Sequence, residues 1–447
     1  MVLKIKTREH FMPKSASNQF GKRFSRPIWA IVLSLPFSLA ISAQEQAVDY
    51  HLEETPAVSW NRPPLFDARA MAAGGISLLA SPAFAAAFNP ALIPNGAPRL
   101  EVGFVGLRFQ AFQYWGINQG VIREQYPLTA EALLPASLGG TLSLGKWRLA
   151  AGYCLSALPR FPDFAQRFTY EYDQYWEYRG SFSGQERTIY AAAAWQPAAR
   201  FALGIRLAYV SGKRWLETSD MDSSYFNIGG QWILKNVSLR HQEKHRYGHW
   251  VPALGAWLHL NPSWDLGLSL EYPLAGRVRR SLEQSFDNPS DGVHLSILQE
   301  CRDALKSPAN LRCGTSYSFN LGGRSGMDKK ISLAAEAKGT FWSSYRYEFF
   351  GETMPRDFRD TVETALGMEY AAAGSAGAYS VSLGVHRDLQ PPRAAATALW
   401  AWSAGAGARL GRLSGNIGLV FYSGATAGIG QRHFLIAAAM AYEFKGE

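Results

Sequence analysis

The sequence predicts an all-β protein: a transmembrane antiparallel β-barrel of about 14 strands with an N-terminal plug in its lumen. Three observations carry this: composition, a period-2 pattern in blocks of strand length, and alternating long and short connectors. Only 18% of the 447 residues are charged, while aromatics reach 13% with 42 Gly and 14 Trp. Mean hydropathy is nevertheless −0.13. A helical membrane bundle needs several uncharged apolar runs of ~20 residues. A disordered chain needs few aromatics and a large net charge. Neither pattern is present.

Residues 1–43 read as a secretory signal peptide. Lys4, Lys6, Arg8, Lys14, Lys22, Arg23 and Arg26 form a basic run, the apolar stretch Trp29 to Leu39 follows, and Ala40-Ile41-Ser42-Ala43 offers small residues for cleavage after Ala43 or Ala40. The remaining chain is close to neutral, so the formal net charge of +9 gives no reason to expect nucleic-acid binding.

Residues 44–99 are expected to form the plug. Between Arg69 and Arg99 there is no charge, but Gly74, Gly75, Pro82, Pro90 and Pro94 break any continuous helix. Apolar, non-helical chain at membrane depth needs protein around it, and a barrel lumen supplies that; the alternative is an apolar periplasmic domain packed under the barrel. At Asn89-Pro90 the proline fixes φ and biases Asn89 towards an extended backbone, giving a sharp bend.

The barrel is assigned to residues 100–447. Its clearest block is 264–272, where Trp264, Leu266, Leu268, Leu270 and Tyr272 alternate with Asp265, Gly267, Ser269 and Glu271. Similar rows start at Phe201, Leu311 and Val362, with aromatics at their ends as an interfacial girdle requires. Connections at 111–135, 157–184, 212–246, 274–310 and 342–360 are long, whereas Gly145-Lys146, Asn261-Pro262-Ser263 and Gly411 are short. This alternation suits a bacterial outer-membrane barrel with both termini in the periplasm. The last block, 434–444, turns Leu435, Ala437, Ala439, Ala441 and Glu443 inward, and Tyr190, Ala192 and Ala194 face inward on the fourth strand. Such a wall suits a plug or a greasy ligand better than an open aqueous pore. Charges at Arg206, Asp265, Glu271, Glu336, Lys338, Glu363 and Glu369 could tether the plug.

The run Phe66-Asp67-Ala68-Arg69-Ala70-Met71-Ala72-Ala73-Gly74-Gly75, with Ala83–Ala87 and Asn89-Pro90-Ala91, resembles the N-terminal region of FadL-type outer-membrane transporters of hydrophobic compounds. It resembles equally their PorV-type relatives. The detailed likeness covers residues 66–99. It implies a fourteen-stranded barrel with an N-terminal hatch, passing hydrophobic or amphiphilic, fatty-acid-like small molecules passively. Asn89, Pro90, Ala91, Gly74 and Gly75 would then form the hatch or gate, and Phe84, Phe88, Leu92 and Ile93 would line the ligand path. The alternative is a PorV-like surface barrel that binds a secreted or surface protein and transports nothing. Outer-membrane lipids, a hydrophobic ligand and the barrel-assembly machinery are the expected partners. The 434–444 block resembles the strand that this machinery recognises, although Lys445-Gly446-Glu447 extends past the aromatic.

No nucleophile elbow, phosphate loop or HExxH motif is present, so no enzymatic activity and no cofactor are expected. His241, Glu243, His245 and His249 share one face of any extended chain, but a metal needs ligands converging at about 2 Å, and no metal is assigned. The aromatic, acidic stretch 168–178, with Tyr170, Tyr172, Tyr175, Trp176 and Tyr178, is a candidate docking loop or a cap on neighbouring loops. Of Cys154, Cys301 and Cys313, the last two either close one loop or remain thiols.

Overall fold

Alternation of apolar and small or polar residues dictates the architecture. The computed structural model describes residues 67–93, 97–114, 125–157, 160–169, 175–228, 231–288, 293–321, 328–349, 351–353, 358–375, 377–389, 398–426 and 429–444. The expected signal peptide and the plug residues before Asp67 lie outside them.

Fourteen strands form a closed antiparallel barrel. In order around the wall these staves are β1 (Arg99–Tyr114), β2 (Gln125–Leu144), β3 (Trp147–Ala157), β5 (Tyr175–Ala198), β6 (Phe201–Ile228), β7 (Gln231–Asn261), β8 (Trp264–Glu271), β11 (Ala309–Leu321), β12 (Asp328–Phe341), β15 (Thr361–Gly374), β16 (Gly377–Leu389), β17 (Ala398–Leu410), β18 (Leu413–Thr426) and β19 (Ile429–Glu443). The seam closes between the first and last staves, in register from Arg99↔Glu443 to Phe112↔Gly430.

The exterior is apolar and the interior small or polar. On β6, Leu203, Ile205, Leu207 and Tyr209 are exposed while Ala202, Arg206 and Ala208 are buried; β19 buries Leu435, Ala437, Ala439 and Ala441 and exposes Phe434, Ile436 and Met440. In water such an outer face would carry a large cost; in lipid it is the solvated face. Aromatics bound this belt. Trp147, Trp195, Trp264, Tyr379 and Tyr442 are exposed towards the end at which β1 starts, β19 ends and the tight turns lie, and Tyr209, Trp250 and Tyr272 towards the other. Beyond Trp250 the outward positions of β7 become Arg246 and Lys244. The belt ends where the charges start, so the chain is a membrane-embedded barrel of the outer-membrane type.

The long connectors differ from the expected loops. β6 and β7 run for 28 and 31 residues, so 212–246 is almost entirely strand. At ~3.3 Å per residue β7 is roughly 100 Å long, several times the height of an apolar band. The other long connectors contribute β4 (Arg160–Thr169), β9 (Gly276–Asn288), β10 (Val293–Lys306), β13 (Arg346–Phe349) and β14 (Glu352–Thr353), which extend the wall beyond the belt. A backbone ladder propagates without an apolar face once a turn has set its register, so strand continues where the hydrophobic pattern has stopped. Between β8 and β11 the ladder stops at Glu271↔Asn310 and resumes between β9 and β10 at Gly276↔Leu305. Pro273 and Pro308, which have no N–H to give, fall in this interval.

Candidate functional site

The N-terminal segment lies inside the ring of strands. It consists of α1 (Ala68–Ala72), a 3₁₀ turn Ser77–Leu79, α2 (Ala85–Phe88) and a 3₁₀ turn Pro90–Leu92. It has a small core of its own, in which Ala70, Ala80, Ala85 and Phe88 pack with Leu92. Its other faces are buried against the wall all the way round. Ala68 and Met71 pack with Val105, Leu155, Val420 and Leu435; Ala73, Ile76 and Leu79 with Ala334 and Ala365; Ala86 and Ile93 with Ala150, Cys154 and Tyr190. A segment in contact with staves on every side is a plug.

Backbone without regular secondary structure must find hydrogen-bond partners elsewhere. Asp67 caps α1, accepting from the backbone N–H of Arg69 and Ala70, and its second oxygen accepts from Ser81 N at 2.8 Å. Burial pushes the Asp67 carboxyl above its ordinary pKa, opposed by those N–H donors and by the Arg69 guanidinium. The wall supplies the remaining partners. Tyr190 donates to Ala83 O at 3.1 Å, Ser403 to Ala72 O at 3.0 Å, Ser269 to Phe88 O at 3.1 Å and Arg148 to Ile93 O at 3.2 Å. Glu336 accepts from Ser77 N at 2.8 Å, and Arg69 makes a two-pronged bridge to Glu369 at 2.8 and 2.6 Å. Arg206 donates to Ala87 O.

Arg206, Glu336 and Glu369 thus tether the plug as the sequence suggested. Glu271, Lys338 and Glu363 instead pair within the wall, and Asp265 pairs with His259 near a tight turn. Tyr190, Ser269, Ser403 and Arg148 were not foreseen as tethers. Their sequence signal was an inward polar side chain among small residues.

Glycines make room for the plug. Gly204 stands opposite Gly255, Gly267 opposite Gly314, Gly367 opposite Gly384 and Gly405 opposite Gly418, all at inward positions. A Cβ on Gly204 would fall on the Pro90 carbonyl, one on Gly384 on the backbone of Ala73 and Gly74, and one on Gly418 on the Ala68 carbonyl. The plug therefore rests backbone against backbone on a glycine belt.

Among the expected gate residues, Asn89 is buried, and its Nδ2 donates to Ala256 O at 3.2 Å and Leu268 O at 3.1 Å on neighbouring staves. Its Oδ1 accepts from Ala91 N at 3.0 Å, which fixes the bend at Pro90. Gly74 and Gly75 adopt φ of +80° and +84°, a conformation open to glycine, and border the cavity beyond the plug. Of the expected ligand-lining side chains, Phe88 borders that cavity. Phe84 and Ile93 are buried against the wall, and Leu92 packs in the plug's own core.

The cavity has a volume of about 210 Å³. Its floor is Gly74, Gly75, Ala87 and Phe88. Its wall mixes both kinds of group: Cys154, Ala208, Val210, Val251 and Tyr422 stand among Ser156, Glu186, Thr188, Tyr190 and His249, while Arg206, Glu271, Arg312, Glu336, Lys338, Glu363 and His386 run along the staves from β6 to β16. The small-residue faces of β5 and β19 thus represent part of the lumen only. From β6 to β15 the charges are matched: Arg206 with Glu271 at 2.6 Å, Arg312 with Glu336, and Lys338 with Glu363 at 2.8 Å.

The remaining candidates lie away from the plug. His241, Glu243, His245 and His249 do share the inward face of β7, but Glu243 is engaged by His245 and by Arg280 at 2.9 Å, and Arg280 continues to Asp303 at 2.9 Å. An arginine occupies the centre of this cluster, and among the described residues no group of His, Cys, Asp and Glu could hold a metal. No disulfide joins Cys301 and Cys313. They lie on successive strands with opposite facing, Cys301 on β10 inward and donating to Asp303 at 3.0 Å, Cys313 on β11 outward and exposed, the facing switching at Ser307-Pro308 between them. Tyr170 and Tyr172 lie outside the described residues. Tyr175, Trp176 and Tyr178 belong to β5, paired with β4 and β6, so this part of the expected docking loop is strand.

No family model and no curated protein matches the sequence. Solved structures do match. A FadL homologue from Pseudomonas aeruginosa superposes with a TM-score of 0.58 at 15% identity, over 86% of this chain and 99% of that one. The toluene transporter TodX of P. putida gives 0.56 at 13% identity, over 86% and 100%, and the toluene transporter TbuX of Ralstonia pickettii 0.53 at 13%, over 86% and 99%. Barrel, strand number and internal plug together give this chain the fold of the FadL-type outer-membrane channels.

Proposed function

We propose that the protein is an outer-membrane channel through which hydrophobic or amphiphilic small molecules pass, without energy coupling, beyond an N-terminal plug. In this reading both termini are periplasmic and the strand extensions face the exterior. The observation that carries it is the half-apolar cavity lying directly on the plug, floored by Gly74, Gly75 and Phe88. A general aqueous pore has no use for a plug tethered at this many points. Structures that share the fold include two toluene transporters, which supports a greasy cargo. Asn89-Pro90 acts as the fixed pivot of the plug and the Gly74-Gly75 turn as its yielding part, since only the latter combines glycine backbone with a face on the cavity.

The test is mass spectrometry of small molecules and proteins retained by the barrel after gentle purification from its own membrane. Enriched hydrophobic molecules are expected. A stoichiometric protein partner with no enriched ligand would replace this reading with the surface-attachment one. Replacing Pro90 with Ala frees φ at the pivot. We expect uptake of radiolabelled toluene by cells carrying P90A to change severalfold while the barrel still assembles; unchanged uptake would count against the pivot.

A further inference from the structure

Immediately beyond the glycine belt, on the side of the cavity, the wall carries alternating charge. Gly204 is followed inward by Arg206, Gly384 by His386, and Gly314 is preceded by Arg312. Any ligand reaching the plug crosses this belt. The cations there are Arg206, Arg312 and Lys338, and each already has a carboxylate of its own: Glu271 at 2.6 Å, Glu336, and Glu363 at 2.8 Å. Asn310 adds a donor to Glu271 at 3.3 Å. Glu186, which also lines the cavity, accepts from Tyr247 at 2.8 Å and Ser156 at 3.1 Å. The cavity therefore has at least as many carboxylates as guanidinium and ammonium groups.

Resting on the channel reading above, we propose that this cavity admits uncharged molecules with a polar edge, such as aromatic or short-chain alcohols, and rejects anionic amphiphiles of the same size. An anion entering the belt must either displace a carboxylate from its cation or lie beside one, and in a partly desolvated lumen like charges at contact are costly. A hydroxyl meets no such obstacle. It donates to a carboxylate oxygen or accepts from a guanidinium without breaking the ion pair, while its apolar body lies along Ala208, Val210 and Val251. The matched pairs serve as a charge filter, and specificity comes from the repulsive element as much as from the attractive one.

The experiment uses 4-methylbenzyl alcohol and 4-methylbenzoate, alike in size and shape, at pH 7.5. Binding to the purified barrel is read by ligand-observed NMR and uptake is read in cells. The wild type is expected to bind the alcohol at least tenfold more tightly than the benzoate. Glu363→Gln removes the partner of Lys338, and one charge-assisted bond should raise benzoate binding about tenfold. The double variant K338M/E363Q should lose that gain, which assigns it to Lys338 and not to a loosened fold. Retained heat-modifiable migration on gels verifies that each variant is a barrel; if E363Q does not fold, Glu271→Gln frees Arg206 and tests the same expectation. Wild-type binding of benzoate as tight as that of the alcohol, or no gain in either variant, would overturn the filter and leave the channel standing. Failure of both probes to bind and to enter cells would overturn the channel reading itself.

Discussion

At the residue scale Asn89 has the most distinctive role. Its side chain has an acceptor and two donor hydrogens, and the structure uses both ends: the oxygen shapes the turn onto Ala91 and the nitrogen reaches two staves. Asn89→Ala should cost about 1–3 kcal/mol of plug docking, since the buried Ala91 N–H and the Ala256 and Leu268 carbonyls lose their partner. Hydrogen exchange over residues 84–93 should then accelerate while exchange in β6 and β7 stays slow. Gly204→Val asks the reverse question, from the wall. Its Cβ would enter the space of the Pro90 carbonyl, so the plug must shift. We expect faster cleavage of the plug by added protease without loss of the barrel, and equal protection in variant and wild type would show that the fit is loose there.

Elements divide into those the membrane requires and those it does not. Outward rows such as Leu203 to Tyr209 on β6 set its lipid-facing height, and the chain beyond Trp250 is polar on its outer side. The register Met221↔Ser238 allows residues 222–237 to be replaced by a tight turn without disturbing the β6–β7 ladder below. The shortened protein should still insert and show heat-modifiable migration. Loss of insertion would mean that the extension takes part in assembly. The pairing of β9 with 238–248 of β7 suggests where trimming must stop.

At the scale of the whole molecule, much was legible from period-2 blocks alone. Lipid on one side and a crowded lumen on the other impose alternation, and this fixed the strand number, the inward faces of β5 and β19 and the outward row from Trp264 to Tyr272. Beyond the belt, lipid no longer imposes a pattern, so β4, β9, β10 and β13 were hidden in what read as loops. The ion pairs were hidden for another reason. Arg206 reaches Glu271 across an intervening stave, over Ala253, and such a contact depends on register and curvature, which one strand's sequence does not encode. Plug tethers such as Ser403 to Ala72 depend on the path of a segment with no period at all.

Finally, the seam between the first and last staves has a consequence for the order of events during folding. Arg99 and Glu443 are 344 residues apart in the chain, and they meet while the plug that precedes Arg99 lies within the circle they complete. A circle closed first would have to be threaded afterwards by the chain before Arg99, through a lumen already lined with side chains. Wrapping the wall around a seated plug avoids the threading, and the plug then serves as a mandrel on which the final stitch is set.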